Sequence, residues 1–282
     1  LLGADLPALK EGEDELQAAA KWLTSGANPL FAKAQANRIW FYLMGRGLVD
    51  PVDDFRLTNP ASHPALLDML AKDLVKSGFD MKHLVRTIML SRTYQLESSP
   101  NETNKDDTFN YSHNLPRRLS AEQLFDSLYQ AFGVVPDLDG VPTGYRASQK
   151  PGPINGKSAA KASPGSPEAF LAQFGKPARQ LSCECERAST TSLSQTFQLI
   201  SGPIVTHVIM DRENVLRSLA KSGLSPEKMA DELVWRTLGR APADEERQRM
   251  TQMLKASADH QREALEDLAW SLANAKEFVL RQ

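Results

Sequence analysis

What most restricts this chain is how its helices begin. Asn28-Pro29, Asp80, Ser120 with Gln123, and Ser225-Pro226 each set a capping side chain directly ahead of an apolar pattern at helical spacing. A side-chain oxygen there accepts an amide of the first turn, and a proline just inside a helix gives up an N–H that has no partner anyway. Behind Asn28 the pattern is Phe31, Ala32, Ala36, Ile39 and Leu43, closed by Gly45 and Gly47. A first helix is expected over 13–23. A third starts at Ser62, shows Leu66, Leu67, Leu70 and Leu74, and stops at Gly78. Phe79 with Leu84, Leu119 with Leu124, and Leu224 with Met229 are spaced as hydrophobic staples across three of the caps.

Later in the chain, 192–201 and 204–220 each read as one helix. Asp244, Glu245 and Glu246 suit the positive start of another, and Leu265, Leu268, Leu272 and Val279 mark the last. Residues 48–55 are expected to be extended, and 97–107 a polar loop. Alternating apolar stretches are scarce, so the fold class expected is all-α, about ten helices in two packed sub-bundles. The sub-bundles are placed at 1–138 and 183–282. Between them, 139–182 is expected to be irregular, because residues 139–180 hold six Gly and six Pro.

A chain of 282 residues buries a substantial interior without disulfide staples, and its net charge of −2 supplies no basic field for nucleic acid or an anionic membrane. No apolar run approaches the length of a spanning helix, so direct membrane insertion is not expected. The opening Leu1-Leu2-Gly3, without an initiator Met, reads as part of a longer protein.

Three groups of residues can carry chemistry. Arg38 stands in a helix beside Trp40, Phe41 and Tyr42, and Asp53 with Asp54 can return to pair with it. That is either a fold-fixing salt bridge or, with His63 added, an acid/base or metal cluster. Arg86, Arg92, Arg117 and Arg118 can collect an anion such as a sulfated or carboxylated sugar. Cys183 and Cys185 are two apart and so leave one face of an extended backbone. They are open to readings as free structural thiols, a redox pair or half a metal site; Arg187 lowers a thiol pKa while Glu184 and Glu186 raise it. None of the five histidines stands at finger-like spacing from them, so no metal is assigned. The Ser/Thr-rich 188–194 turns the chain into a helix, and Arg187 is expected to meet a carboxylate from the N-terminal half, as a junction that ties the two sub-bundles together. No nucleophile elbow, phosphate loop or His-Glu-x-x-His is present.

Several collinear blocks resemble a known family. Asn28-Pro-Leu-Phe, Asn37-Arg38-Ile-Trp40, Gly45-Arg-Gly-Leu-Val49, Asp53-Asp54-Phe55 and Ser62-His63-Pro64 come first. Ser91-Arg92-Thr93-Tyr94, Pro116-Arg-Arg118-Leu-Ser120, Cys183 to Arg187 with Gln195, and Asp267-Leu-Ala-Trp270 follow. Together they resemble a planctomycete-specific C-terminal domain of unknown function, found after cytochrome c-like modules in exported proteins. The resemblance implies an exported, periplasmic or cell-surface location and partners among neighbouring haem-binding or lectin-like, carbohydrate-binding modules. It brings no reaction. Cys-x-x-Cys-His is missing, so no cofactor is expected in this chain. The leading reading is a non-catalytic interaction or scaffold module. The alternatives are an enzyme acting on polysaccharides or their sulfate esters, and a redox partner of a cytochrome module.

Overall fold

The structure is a computed structural model that describes residues 12, 14–26, 28–150, 162–177 and 192–281. Cys183, Cys185 and Arg187 lie outside the described residues, and with them the redox and junction readings. Within the described residues the fold is all-α: the helices are α1 Glu15–Leu23, α2 Pro29–Met44, α3 Pro64–Lys76, α4 Met81–Met89, α5 Ala121–Phe132, α6 Pro167–Gln173, α7 Leu193–Ser201, α8 Pro203–Met210, α9 Val215–Ala220, α10 Pro226–Leu238, α11 Asp244–Ala256, α12 Gln261–Ala273 and α13 Lys276–Val279. The strand content among the described residues is one two-residue pair, β1 Arg117–Arg118 with β2 Leu280–Arg281.

The chain divides into two compact units between Arg117 and Arg118. The reason lies in α5, which buries Leu124, Phe125, Leu128, Tyr129 and Phe132 in the core of the second unit. A helix apolar on nearly every side belongs inside one bundle and cannot close another.

The first unit packs α2 against α3 and α4. Helix α2 buries Ala32, Ala36, Trp40 and Met44, each four residues from the last, so one stripe faces the core. It meets Leu67, Leu70 and Leu74 of α3 and Leu84 and Ile88 of α4. Residues 48–55 form turns and not an extended strand, because a side chain replaces the missing ladder. Asn37 is fully buried; its Nδ2 donates to the carbonyls of Val49 at 2.8 Å and Val52 at 2.9 Å, and its Oδ1 accepts the Val49 amide at 2.9 Å. Gly47 makes room for this: a Cβ there would meet the Val49 oxygen at 2.1 Å. Ser62 does not start α3. Its hydroxyl donates to the Leu48 carbonyl at 3.1 Å, and His63 becomes the residue before Pro64.

In the second unit α5 stacks on α6 through an aromatic row. The Phe125 and Tyr129 ring centroids are 4.3 Å apart, those of Phe125 and Phe170 are 6.0 Å, and those of Phe170 and Phe174 are 4.4 Å. Burial pushes the Tyr129 phenol up to about 12. Helix α6 lies inside the stretch expected to be irregular; Ser166 caps it, Pro167 opens it, and Phe170, Leu171 and Phe174 are buried. Three apolar side chains on one short helix outweigh the Gly/Pro composition around them. The residues before it are tied down too: the Asp126 carboxylate accepts the amides of Ala147 at 2.6 Å and Ser148 at 3.0 Å.

Two expected helices are broken, each near an asparagine. The stretch 204–220 becomes α8 and α9, because buried Asn214 donates to the carbonyls of Val208 and Ile209 and caps α9 by accepting the Arg217 amide. The stretch toward Val279 stops at Asn274, whose Nδ2 bonds the Trp270 carbonyl. Short polar side chains compete with the helical ladder in this way. Helices α10 and α11 run back on each other, joined by Arg247 with Asp231 at 2.7 Å and Lys255 with Glu227 at 2.6 Å. Just past α10, Arg240 takes Glu277 of α13 and Glu246 of α11 in two bidentate pairs, 2.6 to 2.9 Å.

Two outcomes follow from these contacts. Asn37→Ala strands a buried amide and two buried carbonyls, so we expect a loss of about 3 kcal/mol, with each unpaired group counted at about 1–3. Its neighbour Arg38 pairs with Asp53 at 2.5 Å, but the two side chains are 36% and 40% exposed. Arg38→Ala is therefore expected to cost under about 1 kcal/mol. Urea midpoints of the two variants measure the contrast, and equal shifts would reverse the assignment. For Glu246, the Arg240 guanidinium, and then the Ala243 amide, hold the carboxyl near about 2 against an ordinary 4.5. A depressed folded value means the contribution is complete above 4.5 and disappears as pH falls toward 2. Glu246→Gln should thus lower the melting temperature at pH 7, and the gap from wild type should close by about pH 2. A gap that is the same at both pH values would show that charge is not involved.

Candidate functional site

The first unit places Arg38, Asp53, Asp54 and His63 near the two ends of the loop that Asn37 holds, yet each has a different partner. Arg38, on α2 one residue past Asn37, takes Asp53. Asp54 turns away to Arg56, whose Nε and Nη2 meet its two oxygens at 2.6 Å each. That fork, the larger effect, holds the Asp54 carboxyl below its ordinary value. His63 rests its Nδ1 against the Ser62 hydroxyl at 3.1 Å, with the Phe109 and Tyr111 rings 6.2 and 5.8 Å from its own. General acid/base work needs a histidine or raised carboxyl within hydrogen-bond reach of a second reactive group. The hydrogen bonds here run instead to arginines and a serine. Among the described residues no three His, Cys, Asp or Glu group in a way that would hold a metal ion.

Around His63 lies a cluster that the sequence motifs did not point to. Asp107 accepts the amides of Phe109 at 2.9 Å, Asn110 at 2.8 Å and Ser112 at 3.1 Å, and the Ser112 hydroxyl as well. These bonds, the hydroxyl first, hold its carboxyl far below the usual range. The turn they make carries Tyr111 in the left-handed region at φ 57°, unusual for a bulky side chain. It drops the phenol onto the Gly47 carbonyl at 3.0 Å and the ring edge-on to Trp40 at 5.3 Å. Burial raises the Tyr111 pKa. Arg46 lies over the Phe109 ring at 4.5 Å while donating to the Thr108 carbonyl at 3.0 Å. The signal was present in sequence as Asp107 two residues before Phe109, an Asx turn, but its target on α2 is more than sixty residues away.

The four arginines proposed for an anion are used in different ways. Arg117 donates from Nη2 to the Leu43 carbonyl at 2.6 Å and lies so close over Gly45 that a Cβ there would meet its Cδ at 2.3 Å. It satisfies the end of α2, where a cation also suits the dipole. Arg118 belongs to the second unit. Its Nη1 donates to Gln195 Oε1, its guanidinium sits 5.9 Å from the Phe174 ring centre, and burial lowers its pKa. Gln195 also donates to the Gln173 carbonyl at 2.8 Å and, with Ser192, forms the capping box of α7. Arg118 and Gln195 thus lock α7 to the end of α6. Arg86 and Arg92 are exposed, and their side chains have no hydrogen bond or ion pair among the described residues.

No helix among the described residues is long and apolar enough to cross a membrane. Comparison with known proteins finds no curated protein and no solved structure that matches this chain. A family model does match, over residues 17–254, and so takes in most of α1, all of α2 to α10 and most of α11. On that coverage the chain belongs to the PSD1 family, described as proteins of unknown function, DUF1553.

Proposed function

We propose that this chain is a non-catalytic interaction or scaffold module of a larger exported bacterial protein, working beside cytochrome c-like and carbohydrate-binding modules. The observation that supports it is the division of Arg38, Asp53, Asp54 and His63 among separate partners. The same polar motifs that would build a hydrolytic centre are spent on holding turns: Asn37 on residues 49–52, Arg117 on the end of α2, and Gln195 with Arg118 on the start of α7. The resemblance to domains in exported multidomain proteins supplies the setting. A carbohydrate is the ligand class that setting favours, and neighbouring modules are the partners.

The competing reading, an enzyme acting on polysaccharides or their sulfate esters, gives the test. Purified chain is incubated with neutral and sulfated polysaccharides, and reducing ends and free sulfate are measured over time. We expect both to stay at the blank level. Release that Asp53→Asn or His63→Ala abolishes, with the melting temperature retained, would replace the scaffold reading with catalysis at that cluster.

A further inference from the structure

The break between α8 and α9 opens a hollow of about 460 Å³ lined by Arg212, Arg217, Ala220, Lys221 and Arg262. Four of these five side chains are cations, and they come from three places in the chain: the break itself, the end of α9, and the first turn of α12. Arg217 is braced by donating from Nη1 to the Arg212 carbonyl at 2.9 Å, with Glu213 3.7 Å away. Arg262 is braced by Glu266 at 2.6 Å and by the Met210 and Asp211 carbonyls at 3.4 and 3.3 Å. Asp211 turns its own carboxylate onto the Glu213 amide at 2.7 Å. The bracing leaves the Arg217 Nε and Nη2 and the Arg262 Nη1 without an acceptor among the described residues. The side chains of Arg212 and Lys221 have no hydrogen bond or ion pair among the described residues.

Cations near a helix C-terminus suit its dipole, which accounts for Arg262 at the end of α8 and Arg217 on α9. It does not account for four positive groups around one concavity, of which two have an acid among the described residues. Like charges held together are unfavourable until a counter-charge joins them. Guanidinium forks fixed from behind present paired N–H groups that match oxyanion geometry. Among the described residues Ala220 is the one apolar residue that lines it, so charge and not ring stacking would select the ligand.

We infer that this hollow binds a small ligand carrying two or more oxyanion groups, sulfate or phosphate esters on a sugar-sized frame. A volume of about 460 Å³ suits such a frame and leaves a lone inorganic ion loosely held. The site stands apart from the scaffold reading and holds whether or not the chain has a catalytic activity.

The test is calorimetric titration of the whole chain with inorganic sulfate, inorganic phosphate, a disulfated disaccharide and a hexose bisphosphate, each at low and at physiological salt. One of the two organic esters should bind at a single site, more tightly than either inorganic ion, and weaken as salt rises. The tighter of the two identifies the ester. Arg212→Ala and Lys221→Ala should each weaken that binding about tenfold or more, at unchanged melting temperature. Arg249→Ala, on the exposed side of α11 and paired only with Glu245, should leave it unchanged. The inference is overturned if no probe binds, if binding survives both substitutions, or if Arg249→Ala weakens it as much.

Discussion

The three hydrogen bonds of Asn37 set the pattern for the whole molecule. A helical protein must route its chain between helices, and every turn that goes inside leaves backbone groups with no ladder to join. Here buried side-chain amides supply the missing partners. Asn37 does so for Val49 and Val52, Asn214 for Val208, Ile209 and Arg217, and Gln195 for Gln173. An amide both donates and accepts without carrying a charge, so it can be buried at little cost once all its bonds are made. The ion pairs play a smaller part, because Arg38 with Asp53 and Arg240 with its two glutamates remain open to water.

That division of labour also explains why motif residues with chemical potential are so evenly dispersed. A carboxylate beside an arginine in sequence, as Asp54 beside Arg56, takes the nearest fork. Arg117 and Arg118 are adjacent in the chain and still serve different units, one at the end of α2 and the other at Gln195. Positive charge accumulates at the hollow behind the α8–α9 break, where two of the four cations have an acid among the described residues. The same Asn214 that makes the break therefore shapes the cavity.

Much of the fold was legible because caps and periodicity are local. Asn28, Asp80, Ser120 and Ser225 cap the helices they precede, and the Ser120–Gln123 box forms in full. What was not legible depends on distant contacts. Trp40 and Met44 take core positions that the spacing had given to Ile39 and Leu43, which sit at its margin, because the position of α3 decides which stripe of α2 is buried. Helix α6 was hidden by glycines and prolines on both sides. Of the candidate site, the pairing of Arg38 with Asp53 was readable from charge and spacing. Its exposure was not, nor was the Tyr111 turn, whose hydrogen-bond partner Gly47, just past α2, is more than sixty residues earlier. The basic hollow escaped because Arg212 and Arg262 are fifty residues apart and each looks like an ordinary surface arginine.

The claim that buried amides, and not ladders or ion pairs, hold the inner turns is tested most directly by native-state hydrogen exchange at Val49. This amide lies in a segment without helix or strand and donates to Asn37 Oδ1. If that bond organises the loop, Val49 exchanges only through the large openings that also expose the α2 and α3 core, and its protection matches theirs. Exchange at the rate of an exposed loop amide, with α2 and α3 still protected, would contradict it.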